Sequence, residues 1–182
     1  IDEAVEPSFE SCSAYALGYL EKTGISRAVV MGGSGGGPFA LHLATNNADL
    51  FGACYLLASM GDPAVFQEAV VSPHTKTLLE LFRTSNYDQA VAQLGQWGVP
   101  SQLAHGVWAD FQVLLGDWSV IDFSSTVPVY IHHGEGDDNA PLESVQSLAS
   151  WLPACELRLS PYASHLGLAN DKEFTEFKAI FS

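Results

Sequence analysis

The stretch Ala28-Val29-Val30-Met31-Gly32-Gly33-Ser34-Gly35-Gly36-Gly37-Pro38, followed by Phe39-Ala40-Leu41-His42-Leu43-Ala44, decides how this chain is read. An apolar, β-branched run stops at a Gly-Gly-Ser-Gly-Gly knot, and an amphipathic run begins at once. The first pattern favours extended backbone and the second repeats at helical spacing, so the segment predicts a strand, a sharp turn and a helix. In that setting a G-x-S-x-G spacing puts Ser34 on a strained bend, and Gly32 and Gly36, two residues to either side, need almost no side chain. The bend lifts the Ser34 hydroxyl above the sheet, at a helix N-terminus whose N–H groups can stabilise a developing anion. A flexible Gly-Ser linker is the competing reading, but linkers rarely sit between a strand signal and a helix signal.

Working outward, Phe9, Cys12, Ala16 and Tyr19/Leu20 recur at helical spacing, which predicts a helix over Ser8 to Lys22 closed by Gly24. Arg27 to Met31 is the strand before the knot, and Pro38 to Ala44 continues the helix after it. Phe51 to Ala58 and Val127 to His132 are apolar runs of the kind found in parallel strands covered on both faces, and Glu156 to Leu159 is a weaker fourth strand. Pro141 to Leu152 and Asn170 to Phe181 read as amphipathic helices. Strands alternating with helices predict a parallel α/β sheet. The alternation is broken between Gly61 and Ser125, where helical signals run over Pro63 to Val71, Thr75 to Arg83, Tyr87 to Trp97 and Pro100 to Leu115. An insertion of that length, dense in aromatic residues, is expected to be a helical lid whose aromatics mostly form its own core. The expected organisation is therefore a core over 1–60, a lid over 61–125 and a second core segment over 126–182.

The chain has 182 residues, 47% of them hydrophobic, enough for a sizeable core. Seven basic against 21 acidic residues give a formal charge of −14, which argues against nucleic acid and anionic membrane surfaces as partners. No apolar run approaches the roughly 20 residues of a membrane-spanning helix, and no basic segment followed by an apolar block opens the chain. No signal peptide is expected, which leans toward a cytoplasmic setting, although Ile1 in place of Met reads as a processed or trimmed start. Cys12, Cys54 and Cys155 are odd in number and set in apolar surroundings, so they read as buried free thiols rather than a disulfide or metal site.

A serine hydroxyl is a weak nucleophile until a base takes its proton, and that base needs an orienting acid. The third predicted strand ends in His132-His133-Gly134-Glu135-Gly136-Asp137-Asp138-Asn139-Ala140-Pro141. The fourth is followed by Ser160-Pro161-Tyr162-Ala163-Ser164-His165-Leu166-Gly167. A carboxylate and a histidine each leave the end of a later strand, on the edge where α/β sheets bind ligands. The cluster His132, His133, Glu135, Asp137 and Asp138 matches no metal-binding spacing, and strand alternation sends its two histidines to opposite faces. His133 reads as a structural residue at the strand end, His42 as a packed core histidine, and His74 and His105 as surface or packing residues of the insertion. Taking Glu135 as one of a glycosidase carboxylate pair leaves Ser34 and His165 unexplained.

These three segments resemble the motifs of the α/β-hydrolases of the esterase, lipase and aminopeptidase type. Residues 32–37 (GGSGGG) match the nucleophile elbow. HGEGDDNAP matches the family's Gly-x-x-Asp-x-x-x-Pro turn with Gly134, Asp137 and Pro141 in register, and SHLGL matches its histidine loop. The order Ser34, Asp137, His165 is the family's order, and the resemblance covers nearly the whole chain, least of all the insertion. It implies an α/β-hydrolase parallel sheet with a helical lid, Ser34 as nucleophile, Asp137 as acid, His165 as base, and the Gly35 N–H as one oxyanion donor, with no cofactor and no metal. Asp138 is the rival acid; the spacing from Gly134 favours Asp137. The apolar, aromatic-rich insertion suggests a small or medium hydrophobic acyl or alcohol group, so an ester or lactone is expected in preference to an amide. A non-catalytic small-molecule receptor or interaction subunit on the same fold is the alternative.

The departure from the family is at the front, where relatives carry further strands and the loop with the second oxyanion N–H. Without them Ala28 to Met31 would be an apolar sheet edge, a liability for aggregation. A second polypeptide carrying those N-terminal strands is therefore an expected partner.

Overall fold

Ser8 begins the first helix because its hydroxyl accepts the Ser11 N–H (3.0 Å) while Ser11 Oγ accepts the Ser8 N–H (2.9 Å), a reciprocal cap. The helix ends at Gly24, whose φ of 72° is left-handed and whose N–H closes back onto Leu20 and Glu21. The computed structural model describes residues 7–161 and 163–165. In chain order these form α1 (Phe9–Thr23), β1 (Ala28–Gly33), α2 (Gly36–Thr45), β2 (Phe51–Leu57), α3 (Pro63–Ala69), α4 (Pro73–Arg83), α5 (Tyr87–Gln96), α6 (Ser101–Leu114), β3 (Val129–Gly134), α7 (Leu142–Trp151) and β4 (Cys155–Ser160). The expected helix over Asn170 to Phe181 and residues 166–168 of the SHLGL segment lie outside the described residues.

The described sheet has four parallel strands in the order β1-β2-β3-β4, each joined to the next by a helical crossover. Met31 pairs with Tyr55, Leu56 with Ile131 and His133 with Leu159. This register aligns the C-terminal strand ends at one rim, where Ser34 and Glu135 follow their strands. Leu41 and Ala44 of α2, Val145 and Leu148 of α7 and Phe9 of α1 pack with Cys54, Leu56, Val129 and Ile131 in the main core. Burying each large aliphatic side chain contributes about 1.5–3 kcal/mol, and this layer holds the crossovers against the sheet. On Tyr55 and Tyr130 the rings stack at 4.9 Å beside Ala53 and Leu57, forming a separate apolar cluster.

Between β2 and β3, α3 to α6 leave the sheet. Leu78, Leu94 and Ala104 form a cluster of their own with Phe82, Trp97, Val107 and Phe111 around it, while Phe66, Val70, Leu79 and Leu114 join the main core. Asp62 caps α3 through Ala64 N–H (2.9 Å) and accepts the Ser147 hydroxyl of α7 (2.7 Å), so the insertion is anchored where it departs. Asn46 anchors its return by donating to Val120 O (2.7 Å) and accepting from Asp122 N–H (2.9 Å). His42 is buried, as its apolar helix implies, with Nδ1 2.7 Å from Ser13 Oγ and its ring stacked on Phe9. Burial holds this imidazole below its ordinary pKa despite the pull of Glu10. Cys12 departs from expectation. All three cysteines are free thiols, but Cys12 is exposed on α1, whereas Cys54 is buried and pushed up to about 12 by desolvation. None of the helices among the described residues is long and apolar enough to cross a membrane.

Candidate active site

Ser34 occupies the two-residue turn between β1 and α2 with a φ of 51°, a left-handed conformation that costs a non-glycine residue about 1–2 kcal/mol. The surrounding backbone enforces it. Ser34 N–H donates to Leu57 O (3.0 Å), and Ser34 O accepts from Gly37 N–H (3.2 Å) and Met60 N–H (3.0 Å). The end of β2 thus clamps both sides of the turn. A Cβ on Gly32 would overlap Gly36 O and stand 2.7 Å from the Ala40 Cβ, which explains the glycine there. Gly36 is a correction: a Cβ at that position meets nothing within 4 Å. The close approach on the helix side falls one residue later, at Gly37, where a Cβ would overlap the Ser59 side chain. Gly35 caps α2, and a Cβ on it would stand 3.1 Å from Leu114 at the end of α6, so the insertion reaches the turn.

Asp137 lies in the loop after β3 with its side chain fully buried. Oδ1 accepts the N–H groups of Asn139 and Ala140, both at 2.9 Å, and Oδ2 lies 2.8 Å from His165 Nδ1. His165 Nε2 lies 3.0 Å from Ser34 Oγ. Side chains 131 and 28 positions apart in sequence therefore meet in one chain of contacts, Ser34–His165–Asp137. Since a carboxylate only accepts, Nδ1 is the donor of that pair, and in the uncharged ring Nε2 then faces the serine hydroxyl with its lone pair. That arrangement can remove a proton from Ser34 Oγ. Asp138 and Glu135 are exposed.

The acid loop is held from three sides. Gly136 N–H donates to Ala163 O (3.0 Å), tying it to the histidine segment. Asp138 O accepts Ser72 N–H (3.0 Å), and Thr75 Oγ1 meets Asn139 Oδ1 (3.3 Å), tying it to α4. His133 is buried beneath it, with Nε2 2.7 Å from Ala140 O and 3.7 Å from Asp137 Oδ2. His133 holds the structural place at the strand end that its position implies; its grip on Ala140 depends on a loop fold that no spacing rule encodes. Burial pushes this imidazole below its ordinary pKa, outweighing the Ala140 carbonyl and Asp137, which pull it up. His132 turns the other way, to Ser160 Oγ (2.6 Å). In the insertion His74 packs edge-on against Trp97, and His105 meets the Tyr87 hydroxyl at 2.8 Å. Among the described residues no group of three or more His, Cys, Asp or Glu is placed to hold a metal ion.

A family model described as "Putative esterase" matches residues 18–167, a span that includes Ser34, Asp137 and His165. No curated protein sequence matches the chain. Among solved structures, the α/β hydrolase MGS-M2 from a Medee basin deep-sea metagenome library is 16% identical over 97% of this chain and 71% of its own, with a TM-score of 0.66. A structure from the thaumarchaeon Nitrososphaera gargenis, reported in a study of its carboxylesterases, is 16% identical over 96% of this chain and 71% of its own, with a TM-score of 0.62. A meta-cleavage product hydrolase from Pseudomonas fluorescens IP01 is 17% identical over 98% of this chain and 72% of its own, with a TM-score of 0.60. Identities so low establish the fold. The family follows from the model match: the chain belongs to this esterase family and is an enzyme of the α/β-hydrolase fold.

Proposed function

We propose that the chain cleaves a carboxylic ester of small to medium apolar character through a covalent acyl-enzyme on Ser34. The observation that carries this reading is the pair of contacts from His165, Nε2 to Ser34 Oγ at 3.0 Å and Nδ1 to Asp137 Oδ2 at 2.8 Å. In the first half-reaction Nε2 takes the Ser34 proton as Oγ attacks the ester carbonyl carbon, and Asp137 balances the imidazolium. The Gly35 N–H, at the cap of α2, stabilises the oxyanion; one such donor is worth about 10²–10³ in rate. His165 then protonates the leaving alcohol as its bond to carbon breaks. Water, deprotonated by the same Nε2, releases the acid and restores the serine. Leu114, at the end of α6, puts an apolar side chain beside the turn that carries Ser34, which supports an apolar acyl or alcohol group. The insertion would act as a lid over Ser34.

The test is labelling by a fluorophosphonate. The expected result is one stoichiometric mass increment on the peptide containing Ser34, blocked by prior incubation with an apolar ester. Labelling of another residue, or none while ester hydrolysis persists, would sink the reading.

We propose in addition that a separate polypeptide pairs with β1 and supplies the second oxyanion donor. β1 is the edge of the described sheet, and Val29 and Met31 on it are 52% and 59% exposed. Unsatisfied edge N–H and C=O groups beside apolar side chains favour a strand partner. Purified from its own cells, the chain should elute with a second polypeptide. Elution as one active 19.5 kDa species contradicts the proposal.

A further inference from the structure

His133 sits under the acid loop, and the reaction set out above gives it no task. Its Nε2 is 2.7 Å from Ala140 O, and a carbonyl can only accept, so Nε2 carries a proton. Ala140 is also the residue whose N–H holds Asp137 Oδ1 at 2.9 Å. The imidazole therefore grips one side of a residue that grips the carboxylate with the other. Nδ1 is buried and finds no hydrogen-bond partner among the described residues, which suits a bare lone pair and would strand a second N–H.

We propose that His133 is a positioning residue for ester cleavage: as an uncharged Nε2–H donor to Ala140 O, it fixes the loop that aims Asp137 at His165. Its neutrality matters as much as its donor. Nε2 is 3.7 Å from Asp137 Oδ2, so a charged His133 would become a counter-ion of that carboxylate. The stabilisation available to His165 as it takes the serine proton would then fall. Burial disfavours the charged form of His133, and an Nδ1 with no partner among the described residues agrees with it, which leaves the carboxylate's charge to His165.

The inference rests on the Ser34–His165–Asp137 reading and is tested so that the two can fail separately. Steady-state hydrolysis of p-nitrophenyl butyrate is measured for the full chain, with any copurifying polypeptide, as His133→Gln, His133→Met, Asp137→Asn and the double variant His133→Met/Asp137→Asn. Gln keeps a donor at the reach of Nε2; Met matches its length without one. His133→Met should lower kcat by about 10²-fold with KM within about twofold, because a small misaiming of the acid is felt in the chemical step. His133→Gln should stay within about fivefold of wild type, and the double variant should lose no more than Asp137→Asn alone, since His133 acts through the carboxylate. Unchanged kcat in His133→Met, equal loss in His133→Gln, or fully additive loss in the double variant overturns the inference. If His133→Met does not fold, His133→Asn, whose amide is too short to reach Ala140 O, takes its place. Wild-type kcat in Asp137→Asn overturns the site reading instead.

Discussion

Replacing Ser34 by Ala is expected to lower kcat by about 10⁶-fold, His165→Ala by about as much, and the two together by no more than either alone. The reason is that the contacts form one unit. Without the base the hydroxyl keeps its proton, and without the hydroxyl the base has nothing to activate. The residual rate comes from the oxyanion donors and substrate binding, which neither substitution touches. Asp137→Asn should cost about 10⁴-fold, since an amide at that position can present an N–H to Nδ1 and favour the wrong tautomer. Asp138→Asn should leave kcat within about twofold, because this neighbour is exposed while the Asp137 side chain is fully buried against His165. Active-site titration followed by initial rates at saturating ester checks the series. A large loss in Asp138→Asn with none in Asp137→Asn would reassign the acid.

The parts of this site legible in the sequence are those imposed by local geometry. Gly32 could be read because the crowding that excludes a side chain there comes from Gly36 and Ala40, a few residues along the same turn and helix. The alternation of strand and helix likewise follows from side-chain periodicity. Gly36 and Gly37 mark the limit: with three glycines in a row, the pattern could not say which one faces Ser59, a residue from the next strand's end. Strand ends show the same limit. β1 runs through Gly33, beyond the expected Met31, because pairing with Leu56 and Leu57 extends it into glycines with no strand preference of their own. The non-local ties were not legible: Ser72 to Asp138 and Asp62 to Ser147 each join elements whose approach is set by packing, and His133 to Ala140, though only seven positions apart, depends on how the acid loop folds back.

Gly134→Ala should damage both the fold and the site, because this glycine ends β3 where the histidine segment crosses it. A Cβ there would overlap Ala163 O and stand 2.8 Å from the Ala163 carbonyl carbon and 3.2 Å from its Cβ. These are largely backbone atoms, which cannot rotate away as a long side chain would. Nor can the segment yield freely: Ala163 O accepts Gly136 N–H at 3.0 Å, Ala163 N–H reaches Ser160 O at 3.3 Å, and Ala163 packs against Ala58. Overpacking of this kind costs about 1–3 kcal/mol, which for a chain of this size lowers Tm by about 2–12 °C. The displaced segment carries His165 two residues later, and a shift of about 1 Å there should reduce kcat by about 10²-fold. Gly95→Ala is the control, since a Cβ at that α5 position meets nothing within 4 Å and alanine favours the helix by about 1 kcal/mol. Thermal unfolding and ester hydrolysis read together decide the matter. If Gly134→Ala matched wild type in both Tm and kcat, the strand end and the histidine segment would not be in the contact that aims the base.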